Sequence, residues 1–246
     1  MAWALDLDGV VWRGDAAIEG SAAAVARLRA RGERVVFLTN NSALTVADYV
    51  AKLEGMGIPC DPADLLTSAQ AAARLVAPGQ TALVCGGPGV AEALGARGVT
   101  VVREGGADAV VVGWHREFDY GRLTAAADCV RAGARLIGTN DDATYPTPGG
   151  ELPGGGAILA AVAYATSTTP TVAGKPNQPM AELVAERVGA IDVMVGDRPS
   201  TDGLMARLLG ARFALVLSGV TTAEQAPAVS PQPDEVAADL RALVGQ

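Results

Sequence analysis

Trp3-Ala4-Leu5-Asp6-Leu7-Asp8-Gly9-Val10-Val11 opens the chain with a short apolar run, then two carboxylates two residues apart, then a glycine. Trp3 to Leu5 reads as a strand and Gly9 as the turn that closes it. Strand alternation sends Asp6 and Asp8 to one face, unless Asp8 already lies in the turn. Two like charges this close repel unless a cation or a proton stands between them. Two answers stay open. One is a bound Mg²⁺; the other is a division of labour, with one Asp ionised as nucleophile and one proton-bearing as acid. A plain Asp-x-Asp-Gly loop without function is the alternative to both.

Working outward, three later segments bear on that choice. Val35-Val36-Phe37-Leu38-Thr39-Asn40-Asn41-Ser42 is an apolar strand that discharges into four small hydrogen-bonding residues. Their hydroxyls, amides and turn N–H groups suit a phosphoryl oxygen. Asn41 or Ser42 equally suits the N-cap of a helix starting near Thr45, and a helix N-terminus is itself an anion site. Gly174-Lys175-Pro176 sets a lysine before a helix expected over Pro179 to Val188. Lys175 reads either as a solvated loop lysine or as a point charge shared by a carboxylate and a phosphate. Val193-Met194-Val195-Gly196-Asp197-Arg198-Pro199-Ser200-Thr201-Asp202 is again an apolar strand ending in acid. Asp197 is placed to ligate a hard cation. Asp202 falls near the first turn of the next helix, where it serves a site or simply caps.

Taken in order, Asp-x-Asp, Thr-Asn-Asn-Ser, Gly-Lys-Pro and Gly-Asp-Arg-x-x-Thr-Asp resemble the haloacid dehalogenase superfamily of phosphatases. More narrowly they resemble its NagD/4-nitrophenylphosphatase branch, which carries a C2-type cap. Val112-Gly113-Trp114 through Phe118-Asp119-Tyr120 and Leu123 resembles the cap signature. So does Thr139-Asn140-Asp141-Asp142 with Pro146, Gly149, Pro153-Gly154 and Gly156-Ala157. Gly210-Ala211 and Leu217-Ser218-Gly219-Val220 complete a match from about Leu5 to Val220.

The resemblance implies roles position by position. Asp6 would attack phosphorus and become an aspartyl-phosphate. Asp8 would protonate the leaving oxygen, activate the hydrolytic water, and ligate Mg²⁺ through its backbone carbonyl. Thr39 and Asn40 would hold the phosphoryl group, with Asn41 and Ser42 close by. Lys175 would bridge Asp6 and the phosphoryl, Asp197 would ligate Mg²⁺, and Asp202 would stand behind it. The physics agrees, because a carboxylate cannot approach an anionic phosphate unless cations cancel the repulsion. An acid at the position of Asp8 also separates phosphatases from dehalogenases of this fold. The implied activity is Mg²⁺-dependent hydrolysis of a small phosphorylated metabolite. A silent phospholigand-binding protein and a phosphotransferase to an alcohol are the alternatives.

The 246 residues suit one large or two modest domains. Strands alternate with helices, which predicts an α/β fold: a doubly wound, parallel-sheet, Rossmann-like core with an inserted α/β cap domain. The expected division is core 1–77, cap 78–170 and core 171–246, with Pro78-Gly79 and Ser167-Thr168-Thr169-Pro170 marking the crossings. The segment Ala69 to Val76 reads as a helix, and the tail beyond Pro227 as a Pro-containing turn and a final helix. All four motif segments fall outside the insert, as ligands beyond the carboxyl ends of parallel strands require.

A net charge of −8 argues against a nucleic-acid surface. The apolar run Ala157 to Ala165 is too short to span a membrane and reads as a buried helix. Cys60, Cys85 and Cys129 lack metal-ligand spacing and are odd in number, which predicts reduced thiols in a cytoplasmic protein. The N-terminus carries no basic region or apolar signal run. A homodimer through the cap is the expectation by analogy with the family. Val84-Cys85-Gly86-Gly87-Pro88-Gly89 hints at a dinucleotide fingerprint but lacks the third glycine, and a tight strand–helix turn explains it. His115, the only histidine, stands where the branch commonly has Asp and reads as a surface or loop residue. Tyr145 aligns with a cap histidine of pyridoxal phosphate phosphatases. It is either a substrate contact or a packing residue of the cap, and it weakens a pyridoxal phosphate assignment.

Overall fold

The computed structural model describes residues 1–147 and 150–245, so Gly149 of the cap signature lies outside it. In chain order the strands are β1 Ala2–Leu5, β2 Trp12–Arg13, β3 Ala16–Ala17, β4 Arg34–Thr39, β5 Leu65–Thr67, β6 Thr81–Cys85, β7 Thr100–Val102 and β8 Ala109–Val112. They continue as β9 Arg135–Gly138, β10 Thr144–Thr147, β11 Gly150–Pro153, β12 Thr171–Val172, β13 Val193–Gly196, β14 Arg212–Val216 and β15 Glu235–Ala237. The helices are α1 Ser21–Ala30, α2 Val46–Gly55, α3 Ser68–Ala73, α4 Pro88–Gly95, α5 Tyr120–Arg131, α6 Gly155–Thr166, α7 Gln178–Arg187, α8 Leu204–Leu209 and α9 Leu240–Val244.

Two parallel sheets organise these elements. The larger runs β15-β14-β13-β1-β4-β5 and the smaller β12-β9-β8-β6-β7. Every pairing within both is parallel, so each connection must cross over a face. The central strands are short runs of buried apolar residues, as sheets covered on both faces demand. The chain leaves β1 toward β4 and β5, then returns to β13 on the other side of β1. That reversal opens a crevice at the carboxyl ends of β1 and β13.

Three apolar layers hold the sheets. Leu5, Phe37 and Val195 face Leu28 and Leu53 of α1 and α2 on one side of the larger sheet. Val110, Val112 and Leu136 face Cys129 and Val162 of α5 and α6 on the far side of the smaller one. The middle layer is shared. Ala4, Val36 and Met194 join Ala82, Val84 and Val111 through Ala72, Leu94 and Val184 of α3, α4 and α7.

Strand β12, Thr171–Val172, pairs with Ile137–Gly138 at the edge of the smaller sheet. Several local expectations are corrected. Helix α3 ends at Ala73, and the tail adds edge strand β15 before α9. Glu235-Val236-Ala237 is largely exposed and carries no alternation to announce a strand. Helix α6 is buried along Ile158, Leu159 and Val162, while Tyr164 is 92 % exposed. Among the described residues no helix is long and apolar enough to cross a membrane.

Candidate active site

Asp6 follows β1 directly, and its amide donates to Val195 O at 2.9 Å, extending the pairing with β13. Thr39 ends β4, the neighbour of β1 on the other side, and Asp197 follows β13. Three adjacent parallel strands therefore deliver three motif segments to one crevice. Lys175 reaches it from the loop before α7. Its Nζ lies 2.9 Å from Asp6 Oδ1 and 2.7 Å from Asp202 Oδ1, and donates to Leu38 O at 3.0 Å. The lysine is 1 % exposed, so it is not the solvated loop residue that the bare sequence also allowed.

Asn40 is the hinge of the polar network. Its Oδ1 accepts from Lys175 N at 2.7 Å, and its Nδ2 donates to Lys175 O and to Asp142 Oδ2, both at 2.9 Å. Thr39 Oγ1 accepts from Asn41 N at 3.0 Å, and Asn41 Oδ1 accepts from Ala43 N at 3.0 Å, which curls the loop as an Asx-type turn. The true N-cap of α2 is Thr45, in a capping box with Asp48.

Asp6, Asp197 and Asp202 present carboxylate oxygens within 4.8 Å of one another. An all-oxygen, anionic set suits a hard divalent cation. Both oxygens of Asp202 already accept protein donors, Lys175 Nζ and Arg198 N at 3.1 Å. Asp197 Oδ2 accepts from Val220 N at 2.6 Å, and Thr221 Oγ1 donates to Asp197 O at 2.6 Å. Asp8 accepts Trp12 Nε1 on Oδ1 at 3.0 Å.

The protonation of this cluster reports a shortage of positive charge. Burial pushes Asp197 up to about 7, and the Asp202 charge adds to it. Burial also holds Asp6 well above the usual carboxylate range, with Lys175 opposing and Asp202, Asp197 and Asp8 adding. Asp8 is raised by burial against the Trp12 hydrogen bond. For Lys175, burial alone would favour the neutral amine, but Asp202 and Asp6 outweigh it and the lysine is held above its ordinary value. One lysine does not neutralise the buried carboxylates around it, and a divalent cation would.

The cleft is lined by Asp6, Asp8, Thr39, Asn40, Asn41, Lys175 and Asp197 of the larger sheet's loops, and closed over by Trp114, Asp142 and Tyr145 of the insert. Tyr145 meets Trp114 edge-on, with ring centroids 5.0 Å apart, so it both lines the cleft and packs. Ser42 is absent from that lining. It is fully buried and its Oγ bonds Thr139 Oγ1 at 2.9 Å, tying the two sheets' loops together. His115 is buried rather than on the surface, with Nδ1 3.1 Å from Gly113 O and its ring edge-on to Phe118. Sequence reasoning passed over Asn140, Asp142, Trp114 and Arg198 as site residues, although all four line the cleft. A signal was there: Thr139-Asn140-Asp141-Asp142 follows an apolar strand just as Thr39-Asn40 does.

A haloacid dehalogenase-like hydrolase model matches residues 3–100, and a HAD-hydrolase-like model matches residues 172–243. A glycerol-3-phosphate phosphatase of Gallus gallus is 36 % identical over 250 residues, covering 89 % of this chain and 80 % of that protein. An acid sugar phosphatase of Staphylococcus saprophyticus is 34 % identical over 250 residues, covering 99 % and 96 %. Among solved structures, a glycerol phosphate phosphatase from Mycobacterium tuberculosis in complex with magnesium superposes with a TM-score of 0.90 at 35 % identity, covering 98 % of this chain and 75 % of that one. The class is a hydrolase built on a Rossmann-like parallel sheet, with the cleft at the sheet's topological switch point. The chain belongs to the haloacid dehalogenase-like hydrolase family, among its 4-nitrophenylphosphatase-type members.

Proposed function

We propose that the chain hydrolyses a small phosphomonoester with Mg²⁺ as cofactor, through a phosphorylated Asp6. It is a phosphatase of its family; the metal, the intermediate and the residue roles are our reading. The observation that carries it is Lys175 Nζ set 2.9 Å from Asp6 Oδ1, inside a buried carboxylate cluster at the switch point. Such a lysine opposes the burial that favours a protonated Asp6, and it faces an incoming phosphoryl group with positive charge.

In this reading Asp6 forms a bond to phosphorus while the bond to the leaving oxygen breaks, and that oxygen takes a proton from Asp8. Asp8 then removes a proton from the water that displaces Asp6, which restores both residues. Thr39, Asn40 and Asn41 hold the phosphoryl oxygens, and Asn40 also fixes the backbone of Lys175 on both sides. Asp6, the Asp8 carbonyl and Asp197 would hold the metal, with Asp202 behind them anchoring Lys175. When bound, Mg²⁺ would neutralise the carboxylates and the phosphoryl charge together. Ser42 supports the loop from behind rather than touching the substrate.

The leaving group faces Trp114, Tyr145, Asp142 and Arg198. The names of the relatives support a glycerol or sugar phosphate, and the polar half of this wall suits hydroxyl groups. We place the core at 1–77 and 173–246 and the cap at 78–172, the latter boundary following β12. A cytoplasmic location fits three free, buried cysteines. A homodimer through the cap fits exposed Tyr120 and Tyr164 on α5 and α6.

Phosphate release from a panel of phosphomonoesters, with and without Mg²⁺ and beside Asp6→Asn, tests the reading. Metal-dependent release that the variant loses is expected. Binding without turnover in a folded protein would point to a silent phospholigand carrier instead. Phosphoryl found on an added alcohol would reveal a transferase.

A further inference from the structure

We infer that Trp12 is a positioning residue that holds the Asp8 carboxylate in one orientation, with Oδ1 tied to the indole and Oδ2 left for the substrate. The inference rests on the role proposed for Asp8 and names the residue that makes that role directional.

Asp8 sits in a tight turn. Val10, Val11 and Trp12 all direct their amides at Leu7 O, and Gly9 N donates to Trp12 O at 2.7 Å. The turn brings the indole back over the carboxylate, where Trp12 Nε1 donates to Asp8 Oδ1 at 3.0 Å. An indole N–H can donate and can neither accept nor titrate in this range. Oδ1 commits a lone pair to that donor and becomes the less basic of the two oxygens, which favours Oδ2 for the proton. Among the described residues Oδ2 accepts no hydrogen bond. Asp8 lines the cleft, so the oxygen left unpartnered by protein is the one available to the substrate.

The indole itself is clamped. It is 1 % exposed and stacks parallel on Tyr49 of α2, with interplanar angle 4° and ring centroids 6.4 Å apart. Lys52 Nζ, one turn further along α2, lies 4.4 Å from the indole centroid and donates to Gly14 O at 2.7 Å. Tyr49 OH donates to Asn41 O at 2.9 Å. One helix thus sets both the acid, through Trp12, and the phosphoryl-binding loop, through Tyr49.

In the first half-reaction the proton leaves Asp8 Oδ2 for the leaving oxygen as its bond to phosphorus breaks. In the second, Oδ2 takes a proton from water as the oxygen–phosphorus bond forms and Asp6 is released. Trp12 exchanges no proton in either step.

The test compares kcat/KM for 4-nitrophenyl phosphate and glycerol phosphate in wild type, Trp12→Phe, Lys52→Met and Asp8→Asn. Nitrophenolate leaves as a stable anion and needs little acid help; a glycerol alkoxide needs all of it. Since general acid catalysis contributes ~10²–10⁴-fold, Trp12→Phe is expected to lose about tenfold more on glycerol phosphate than on the aryl ester. Lys52→Met, which leaves the indole in place but unclamped, is expected to lose in the same direction by a smaller factor. Equal losses on both esters, or no loss, in a folded Trp12→Phe would overturn the proposal as mere packing. If that variant does not fold, Lys52→Met decides on the same criterion. Asp8→Asn separates the two readings. If it shows no preference between the esters, Asp8 is not the acid and the reading beneath falls. If it discriminates and the Trp12 and Lys52 variants do not, only the role of Trp12 falls.

Discussion

Lys175 is enclosed by the carboxylates of Asp6 and Asp202 and by the carbonyl of Leu38, with almost no solvent contact. Removing one partner from a buried ionic group leaves the other charges uncompensated, which costs about 3–5 kcal/mol. Lys175→Met is expected to lower stability by that amount in urea denaturation of the metal-free protein, and to abolish turnover. Asp6→Asn removes the nucleophile and keeps the shape. Phosphate release should fall by on the order of 10³-fold or more while the melting temperature is held or rises, because the cluster sheds a charge. Ser42→Ala separates scaffold from site. It should cost about 1 kcal/mol through the lost bond to Thr139, with KM for the phosphate ester unchanged. A raised KM would return Ser42 to the phosphoryl-binding set.

At the level of elements, the glycines after β6 and β8 lie where the two sheets' loops meet. A Cβ on Gly89 would overlap the carbonyls of Leu44 and Ser42, and one on Gly113 would overlap Ser42 Oγ. Gly89→Ala is therefore expected to cost about 1–3 kcal/mol by overpacking, read as a lower thermal midpoint. Here the limits of the sequence show themselves. Asp6, Thr39 and Asp197 were legible because each follows a run of buried apolar residues, and a parallel sheet puts such positions together whatever their separation in the chain. The Gly86–Gly89 run was legible as a turn but not as a seam, because what crowds Gly89 is a backbone more than forty residues earlier. Strands β2 and β15 escaped for another reason. They are two and three residues long, and their pairing is supplied by Ala17 and Val216 rather than by any pattern of their own. Asp142 escaped because its partners Asn40 and Arg198 lie across the cleft.

For the whole molecule, the acid surplus in the crevice sets the response to pH and metal. Without a divalent cation, folded Asp197 titrates at about 7 against an ordinary 3.8. Between those values the folded state holds a proton that the unfolded chain has released, so stability falls as pH rises. Asp6 and Asp8, both raised, act in the same sense. In EDTA, the melting temperature at about pH 8 is expected to lie below that at about pH 5.5, and Mg²⁺ should raise it more at the higher pH, where it displaces fewer protons. An EDTA midpoint that climbs over that interval would sink the picture of a proton-holding cluster. The shared middle layer adds a second expectation: one cooperative transition in calorimetry, not two, since Ala72 and Leu94 belong to both sheets' packing. The β10–β11 pair joins neither large sheet and packs on α6. It forms a two-strand sheet of its own, yet it brings Thr144 and Tyr145 to the cleft. Neither strand pairs with a large sheet; what ties them down is α6, the Trp114 ring on Tyr145 and Arg198 reaching Thr144 O. On the function proposed, a lineage descended from this chain changes diet by rewriting the Tyr145 side of that strand pair, and keeps the pairing of both large sheets while it does so.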